Sequence, residues 1–176
     1  MNYIWSPDFF RKAFVFAANA HQGQIFPGTE LPYLTHVTLV CTELMAALED
    51  GMDGNLAIGC AALHDVLEDT PTSYELIEQE FGQHVAAGVA SLTKNSSLPK
   101  ELRMEDSLNR IIEQPREVWM VKMADRIVNL SRPPVHWSND KISKYKVEAS
   151  SIHTALKAAN NTLADRLCMK IENYPQ

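Results

Sequence analysis

The segment Ala57-Ile58-Gly59-Cys60-Ala61-Ala62-Leu63-His64-Asp65-Val66-Leu67-Glu68-Asp69 joins an uncharged apolar run to four ionisable side chains. It shows no strand-like alternation, and we predict a helix over roughly 54–67 that stops at the polar residues 70–73. On a continuous helix, His64 lies above Glu68 and Asp65 above Asp69, because residues four apart are neighbours on one face.

This cluster predicts a bound cation. Burying four ionisable groups at the end of an apolar helix is costly unless something neutralises them. Imidazole together with carboxylate suits Mn, Fe, Co, Ni or Zn. The alternative is a helix C-terminus with solvated acids. Acids oppose the helix dipole at that end, which favours the functional interpretation.

The rest of the chain also has helical periodicity. We predict a first helix capped at Ser6-Pro7-Asp8, a break over 23–32, and a second helix from Thr35 that ends before Gly51. Further helices are predicted at 73–82, 83–93, 102–113 and 118–130, with a polar loop at 95–99, and one long C-terminal helix is predicted from about 140 to 171. The predicted fold is all-α, a single compact bundle of about eight helices over residues 1–176.

Composition narrows the class of protein. The chain has 176 residues, 45% apolar and 22% charged, which is ordinary for a globular domain with its own core. A net charge of −6 argues against a general nucleic-acid binder. The absence of a signal-peptide pattern, of a membrane-spanning run and of paired cysteines leads us to expect a reducing cytoplasm and no membrane partner. An oligomer is compatible with the sequence but not indicated by it.

Two more residues are candidate ligands. His36 follows Pro32-Tyr33-Leu34-Thr35 at a helix start, where a lone histidine is more often a cap or a surface residue. Asp125 lies beside the predicted inward face of the helix at 118–130. Its alternative is a surface ion pair with Arg126, which would contribute little to stability.

The order His, His-Asp, Asp resembles the HD-domain phosphohydrolase superfamily. Six elements make the resemblance closer: AxxxHxGQ (17–24), PYLTH (32–36), AALHDVLEDT (61–70), FGxxVA (81–86), SLTK (91–94) and KMADRIVNL (122–130). They are similar to the hydrolase domain of RelA/SpoT alarmone enzymes. The segments LPK (98–100) and HWS (136–138) are most similar to those of the stand-alone small alarmone hydrolases.

The resemblance implies a metal site and a reaction. By similarity, His36, His64, Asp65 and Asp125 would hold one Mn²⁺. The proteins of this family remove pyrophosphate from the 3′ position of guanosine tetra- or pentaphosphate (ppGpp or pppGpp), leaving GDP or GTP. The ion would bind a phosphate oxygen and activate a water. Glu68 and Asp69 match the acidic pair beside the metal, and we expect Glu68 to orient or deprotonate the water with Asp69 in support.

The resemblance also implies substrate contacts, each with a structural alternative. Asn129 matches a position near the nucleotide. Lys122 is either a phosphate contact or an aliphatic stem that reaches solvent, and Lys94 is either a phosphate contact or part of a solvated loop. Lys141 and Tyr145 match positions that line the ligand pocket, although Tyr145 is equally compatible with the core.

One departure concerns the substrate. The family usually carries one or two basic residues after HxGQ, where this chain reads Ile25-Phe26-Pro27. Phe26 can stack on a base but cannot pair with a phosphate. Two alternatives therefore stay open: a phosphatase of another nucleotide such as NADPH or a nucleoside monophosphate, and a non-catalytic nucleotide-binding module. We expect His21 of the same element to be structural.

Overall fold

The computed structural model describes residues 4–175 and places most of them in helices. In chain order these are α1 (Pro7–Ala20), α2 (Leu34–Met45), α3 (Gly54–Leu63), the single turn α4 (Val66–Asp69), α5 (Tyr74–Phe81), α6 (Gln83–Leu92), α7 (Arg103–Ile112), α8 (Arg116–Asn129), α9 (Asn139–Leu156) and α10 (Asn161–Asn173). Short 3-10 segments lie at Lys100–Leu102 and Lys157–Ala159. The described residues thus form nine helices of eight or more residues, and the all-α prediction is confirmed.

Side-chain caps begin several helices where the sequence predicts them. Ser6 accepts a hydrogen bond from the Phe9 amide at 3.3 Å, and Pro7 occupies the first position of α1. Ser73 accepts one from the Leu76 amide at 3.3 Å and begins α5. Each cap satisfies an amide that has no partner within its helix.

The core is centred on α3 and α8. Every residue of α3 except Asn55 is buried, and α3 packs against α1, α2, α6 and α8. Gly88 lets α6 approach closely, because a Cβ there would lie 2.6 Å from Cys60 Sγ. Cys41 and Cys60 are buried and form no disulfide. The helices α2, α3 and α8 also pack against one another, and the candidate functional site lies where they meet.

The predicted continuous helix over 54–67 is wrong. It breaks after Leu63: His64 ends α3, Asp65 has φ −105° and ψ 0°, and α4 begins at Val66. His64 therefore does not stack above Glu68 on one helical face. The break turns the Asp65 carboxylate toward His64, where Oδ2 lies 2.9 Å from Nε2.

Two other predicted helix ends are also wrong, and one residue links them. The predicted helix over 140–171 is two helices, because Asn160 is extended (φ −163°) and caps α10 by accepting from the Leu163 amide at 2.9 Å. Its Nδ2 donates to the carbonyl of Ala47 at 3.0 Å. That carbonyl lies just beyond the end of α2. The helix ends at Met45, whereas the sequence predicted an end just before Gly51.

Among the described residues, no helix is long and apolar enough to cross a membrane. Their buried apolar side chains form a single hydrophobic cluster that includes residues of every helix from α1 to α10. The 3-10 segment Lys100–Leu102 contributes no buried residue to it. The single domain over 1–176 stays a prediction.

Candidate metal centre

Four side chains converge where α2, α3 and α8 meet. His36 lies in the first turn of α2, His64 and Asp65 follow α3, and Asp125 lies within α8. The Nε2 atoms of His36 and His64 are 3.1 Å apart. Asp125 Oδ1 lies 3.4 Å from His36 Nε2 and 4.0 Å from His64 Nε2. The four predicted ligands are thus brought together, and His36, His64 and Asp65 by themselves form a cluster that can hold a metal ion.

The protonation of His64 shows why a cation fits. Its Nδ1 lies 2.8 Å from the Ala61 carbonyl. A carbonyl only accepts, so Nδ1 carries a hydrogen, and Nε2 is the nitrogen that faces the Asp65 carboxylate and could bind a metal. Burial disfavours a charged imidazolium here, but Asp65 and Asp125 outweigh it and raise the pKa of His64 to about 9. This buried site therefore calls for a positive charge between its donor atoms.

The spacing of the donors also fits an ion. Two nitrogens that each lie about 2.1 Å from one cation and subtend about 90–110° are about 3.0–3.4 Å apart. The contacts of His64 and His36 with one another and with the two aspartates span 2.9–4.0 Å. Two imidazoles and two carboxylates form a mixed nitrogen and oxygen set, which suits a divalent transition metal.

Tyr33 orients Asp65. Its hydroxyl donates to Asp65 Oδ2, the oxygen that faces both histidines. Tyr33 is itself buried, and its ring packs against His36 with centroids 5.3 Å apart. Sequence reasoning missed this residue, although it lies in the PYLTH element. A hydroxyl three residues before a candidate ligand was the available signal.

Asp125 is fixed by two residues of its own helix. Lys122 Nζ lies 3.3 Å from Oδ2, and the Asn129 amide donates to Oδ1. Burial works against the charged carboxylate, yet Lys122 and the histidines hold the pKa of Asp125 well below its usual range. Arg126 points away, with its guanidinium 4.0 Å from the Tyr145 ring centroid. The surface Asp–Arg pair considered from the sequence is therefore absent.

The acidic pair lies beside the four ligands on α4. Glu68 accepts from the Lys94 side chain at 2.9 Å through Oε1 and from the Lys94 amide at 3.0 Å through Oε2. Both of its oxygens are thus held in one orientation. Burial, together with the charges of Asp65 and Glu68, raises the pKa of Asp69. The two acids therefore have different environments although they are adjacent in sequence.

His21 and Gln24 support α4 from outside. The Gln24 side chain accepts from His21 Nδ1 at 2.8 Å and donates to the Asp69 carbonyl at 2.8 Å. The His21 ring also packs on Tyr33, with centroids 4.7 Å apart. These contacts agree with the structural role expected for His21.

Two adjacent cavities lie at this centre. The inner cavity, of about 190 Å³, is lined by Phe26, Pro27, Tyr33, His36, Asp65, Glu68, Asp69, Lys94, Lys122, Asp125 and Asn129. The outer cavity, of about 570 Å³, is lined by Phe26, Pro27, Gly28, Thr29, Val128, Asn129, Ser131, Arg132, Pro133, Pro134, Val135, Trp137 and Tyr145. Phe26, Pro27 and Asn129 belong to both. A ligand with its reacting group in the inner cavity therefore has room for a larger apolar part in the outer one.

Comparison with known proteins shows the family to which this chain belongs. Residues 13–162 match the HD domain family. The chain is an HD-domain protein. It is 32% identical over 157 residues to the guanosine-3′,5′-bis(diphosphate) 3′-pyrophosphohydrolase MESH1 of Xenopus tropicalis, covering 86% of this chain and 87% of that protein. It is 35% identical over 127 residues to the bifunctional (p)ppGpp synthase/hydrolase SpoT of Escherichia coli, covering 68% of this chain and 17% of SpoT.

Solved structures agree with the HD fold. A metazoan ortholog of SpoT that hydrolyses ppGpp and plays a role in starvation responses superposes with a TM-score of 0.83 at 28% identity, covering 98% of this chain and 97% of that one. A structure of lmo0812 from Listeria monocytogenes gives a TM-score of 0.66 at 23% identity over 82% and 98% of the chains, which shows the fold alone.

Most of the predicted substrate contacts line the cavities of this HD domain. Lys94, Lys122 and Asn129 face the inner cavity, Tyr145 faces the outer one, and Phe26 lines both. Lys122 is only 5% exposed and pairs with Asp125, so its stem does not reach solvent.

Lys141 is the exception among the predicted contacts. Its ammonium lies 4.1 Å from the Trp137 ring centroid and lines neither cavity. Tyr145 is only partly buried, and its ring packs edge-on against Trp137 with centroids 5.1 Å apart. It therefore serves both as packing and as a cavity wall.

A further groove between α7 and α9 does not suit a nucleotide. Its volume is about 470 Å³, and its lining includes Glu101, Glu105 and Glu148 but no basic residue. Phosphate groups would be repelled there, because like charges repel and no cation offsets them. The candidate ligand site of the HD domain is therefore the pair of adjacent cavities.

Proposed function

We propose that this HD-domain protein hydrolyses guanosine 3′,5′-bis(diphosphate), ppGpp, and its pentaphosphate analogue to GDP or GTP and pyrophosphate. The observation that carries the proposal is the convergence of His36, His64, Asp65 and Asp125 on one buried point beside two acids. The MESH1 proteins, which are named for this reaction, match 86% of the chain. The two-cavity geometry fits a substrate with a reacting phosphate and a large nucleoside.

We propose Mn²⁺ as the cofactor, with those four side chains as ligands. A divalent ion held by these residues would polarise a phosphate oxygen and acidify a water molecule. The chain's own contribution is to fix the ligands: Tyr33 holds Asp65, Ala61 holds His64, and Lys122 with Asn129 holds Asp125. Such supporting contacts set the orientation of each ligand.

The acidic pair divides its work according to its contacts. Glu68, fixed by Lys94 through both oxygens, orients the attacking water. Asp69 lines the same cavity and supports Glu68 there as a second acceptor for the proton that the water loses. The proposal thus keeps the expected roles, with Glu68 as the water-orienting base and Asp69 in support.

The substrate's orientation follows from the sizes of the cavities. The inner cavity of about 190 Å³ is too small for a whole nucleotide, whereas ligand pockets commonly measure about 300–1,000 Å³. The 3′-diphosphate therefore lies in the inner cavity beside Lys94 and Lys122. The guanosine and its 5′-diphosphate extend past Asn129 into the outer cavity.

The deciding experiment mixes Mn²⁺-loaded protein with guanosine 3′,5′-bis(diphosphate) and follows GDP and pyrophosphate. Asp65→Asn is the matched control, because it removes one ligand charge and little volume. We expect Mn²⁺-dependent release that Asp65→Asn lacks. No release from protein shown to contain metal would overturn the substrate assignment.

The same assay tests the two alternatives. NADPH and nucleoside monophosphates should give no phosphate release at rates comparable to that of pyrophosphate from ppGpp. Faster release from NADPH would identify a phosphatase whose substrate preference follows Ile25-Phe26-Pro27. Purified protein that binds ppGpp but turns over none of these compounds would identify a binding module.

A further inference from the structure

The outer cavity has an unusual charge distribution. Of its thirteen lining residues, Arg132 alone carries a charge; most of the others are apolar, aromatic or proline. Within residues 4–175, the Arg132 side chain forms no ion pair and no hydrogen bond. An arginine without a protein partner at the wall of a cavity is available to an anionic ligand.

The cations of the inner cavity, by contrast, already have partners. Lys94 pairs with Glu68 at 2.9 Å, and Lys122 pairs with Asp125 at 3.3 Å. Each lysine therefore offsets a carboxylate of the site. A nucleotide with diphosphates at both ends carries further negative charge at the end that lies away from the metal, and the only charged residue lining that region is Arg132.

The backbone around Arg132 is well fixed. Two prolines follow it, and their rings hold φ near −65°. Pro134 lies close to Gly28, which lines the same cavity: a Cβ built on Gly28 would be 3.7 Å from Pro134 Cγ. The Trp137 amide donates to the Pro134 carbonyl at 3.0 Å. Arg132 thus starts from a defined position beside Asn129, which lines both cavities.

We propose that Arg132 binds the 5′-diphosphate of the substrate and is the residue that distinguishes nucleotides carrying that group from those lacking it. This inference rests on the proposed function, since it assumes that the 3′-diphosphate occupies the inner cavity. The guanidinium of Arg132 can donate two parallel hydrogen bonds to phosphate oxygens, because the spacing of its nitrogens matches that of the oxygens.

The test compares two substrates that differ only at the 5′ end: guanosine 3′,5′-bis(diphosphate) and guanosine 3′-diphosphate with a free 5′-hydroxyl. Arg132→Gln should lower kcat/KM for the first by about 10- to 100-fold, mainly through KM, because it removes hydrogen bonds to a charged group. For the second compound the change should be less than about threefold on the same reasoning. Arg132→Lys should recover part of the loss, because it restores the charge without the bidentate geometry.

The matched control is Arg116→Gln, which removes the same charge from an exposed position at the start of α8. It should leave both substrates unaffected. An equal effect of Arg132→Gln on both compounds, or none on either, would overturn the inference.

A binding measurement separates this inference from the proposed function. GDP retains the 5′-diphosphate but has no 3′-phosphate, so calorimetry of GDP and of guanosine reports on the outer cavity without hydrolysis. GDP should bind the wild type more tightly than Arg132→Gln, and guanosine should bind both equally. Wild-type protein that hydrolyses neither 3′-diphosphate overturns the proposed function, whereas equal GDP affinity in the two proteins overturns the role of Arg132.

Discussion

The inner and outer cavities share a wall but are built differently. Most residues of the inner cavity lie in helices or next to a helix end, and their polar atoms hold one another, as Tyr33 holds Asp65 and Lys94 holds Glu68. The outer cavity is formed largely by residues 26–29 and 131–137, outside the helices, where Val135 is 96% exposed. Substitutions in the inner cavity should therefore destroy chemistry, and substitutions in the outer cavity should change recognition while leaving the metal centre intact.

The largest expected effect comes from removing an inner-cavity ligand. His64→Ala should lower kcat by on the order of 10³-fold or more, because a lost metal ion forfeits several kcal/mol of charge stabilisation. Bound metal, measured by mass spectrometry, should fall in parallel while far-UV circular dichroism stays helical. The control is Val135→Ser, at an exposed position of the outer cavity, which should leave the bound metal unchanged. Wild-type turnover in His64→Ala would show that the metal centre is elsewhere.

Asp125 provides a stricter test of the ligand set. Asp125→Asn keeps the shape of the side chain and one acceptor oxygen, whereas alanine removes both acceptors and leaves Lys122 buried without its partner, at a cost of about 3–5 kcal/mol in unfolding free energy. We expect Asp125→Asn to lose metal without a comparable loss of stability. Unchanged metal stoichiometry would remove Asp125 from the ligand set.

Glu68→Gln should separate orientation from metal binding. The amide still accepts from Lys94 but has lost the charge, so kcat should fall by about 10²–10⁴-fold, the range for a positioned acid or base. Metal content should be nearly unchanged, and Glu68→Asp should recover little because it shortens the reach. A parallel loss of metal would make Glu68 a ligand instead.

Tyr33→Phe tests whether the supporting hydrogen bond matters as much as the ligands. Loss of the donor to Asp65 should weaken metal affinity or activity by about 10- to 100-fold, as for other residues that orient a ligand. Titration of the metal-free protein with Mn²⁺ measures the affinity, and activity at saturating Mn²⁺ should be largely restored. Unaltered affinity would show that packing alone fixes Asp65.

The smallest effect belongs to the outer cavity. Tyr145→Phe keeps the ring that packs on Trp137 and Arg126, so kcat/KM should change by less than about threefold, within the range for an ordinary single hydrogen bond. Metal content should be unchanged. A loss above tenfold in kcat would mean that the hydroxyl takes part in chemistry and would erase the contrast between the cavities.

Helical periodicity and capping residues predicted the all-α fold and most helix positions, as at Ser6 and Ser73. They did not predict the breaks. His64 keeps helical dihedral angles, and neither glycine nor proline marks the interruption at Asp65. Asn160 breaks the C-terminal helix through a contact with Ala47, which lies 113 residues away in sequence.

The same distinction holds for the candidate site. The order of His36, His64-Asp65 and Asp125 led to a ligand set that the structure gathers at one point. The role of Tyr33 and the closure of the outer cavity were not predicted, because they depend on tertiary contacts such as Pro134 against Gly28. Local patterns carry no information about which distant segments meet.

The break between His64 and Asp65 limits how this centre can be transplanted. On an uninterrupted helix, successive side chains point about 100° apart, so two neighbours cannot both aim at one ion in this way. Here one residue closes α3 and the next opens α4. A designer who grafts His64 and Asp65 onto a straight helix would keep the two residue types but lose their relative orientation. The portable unit is a corner, together with the tyrosine that holds it.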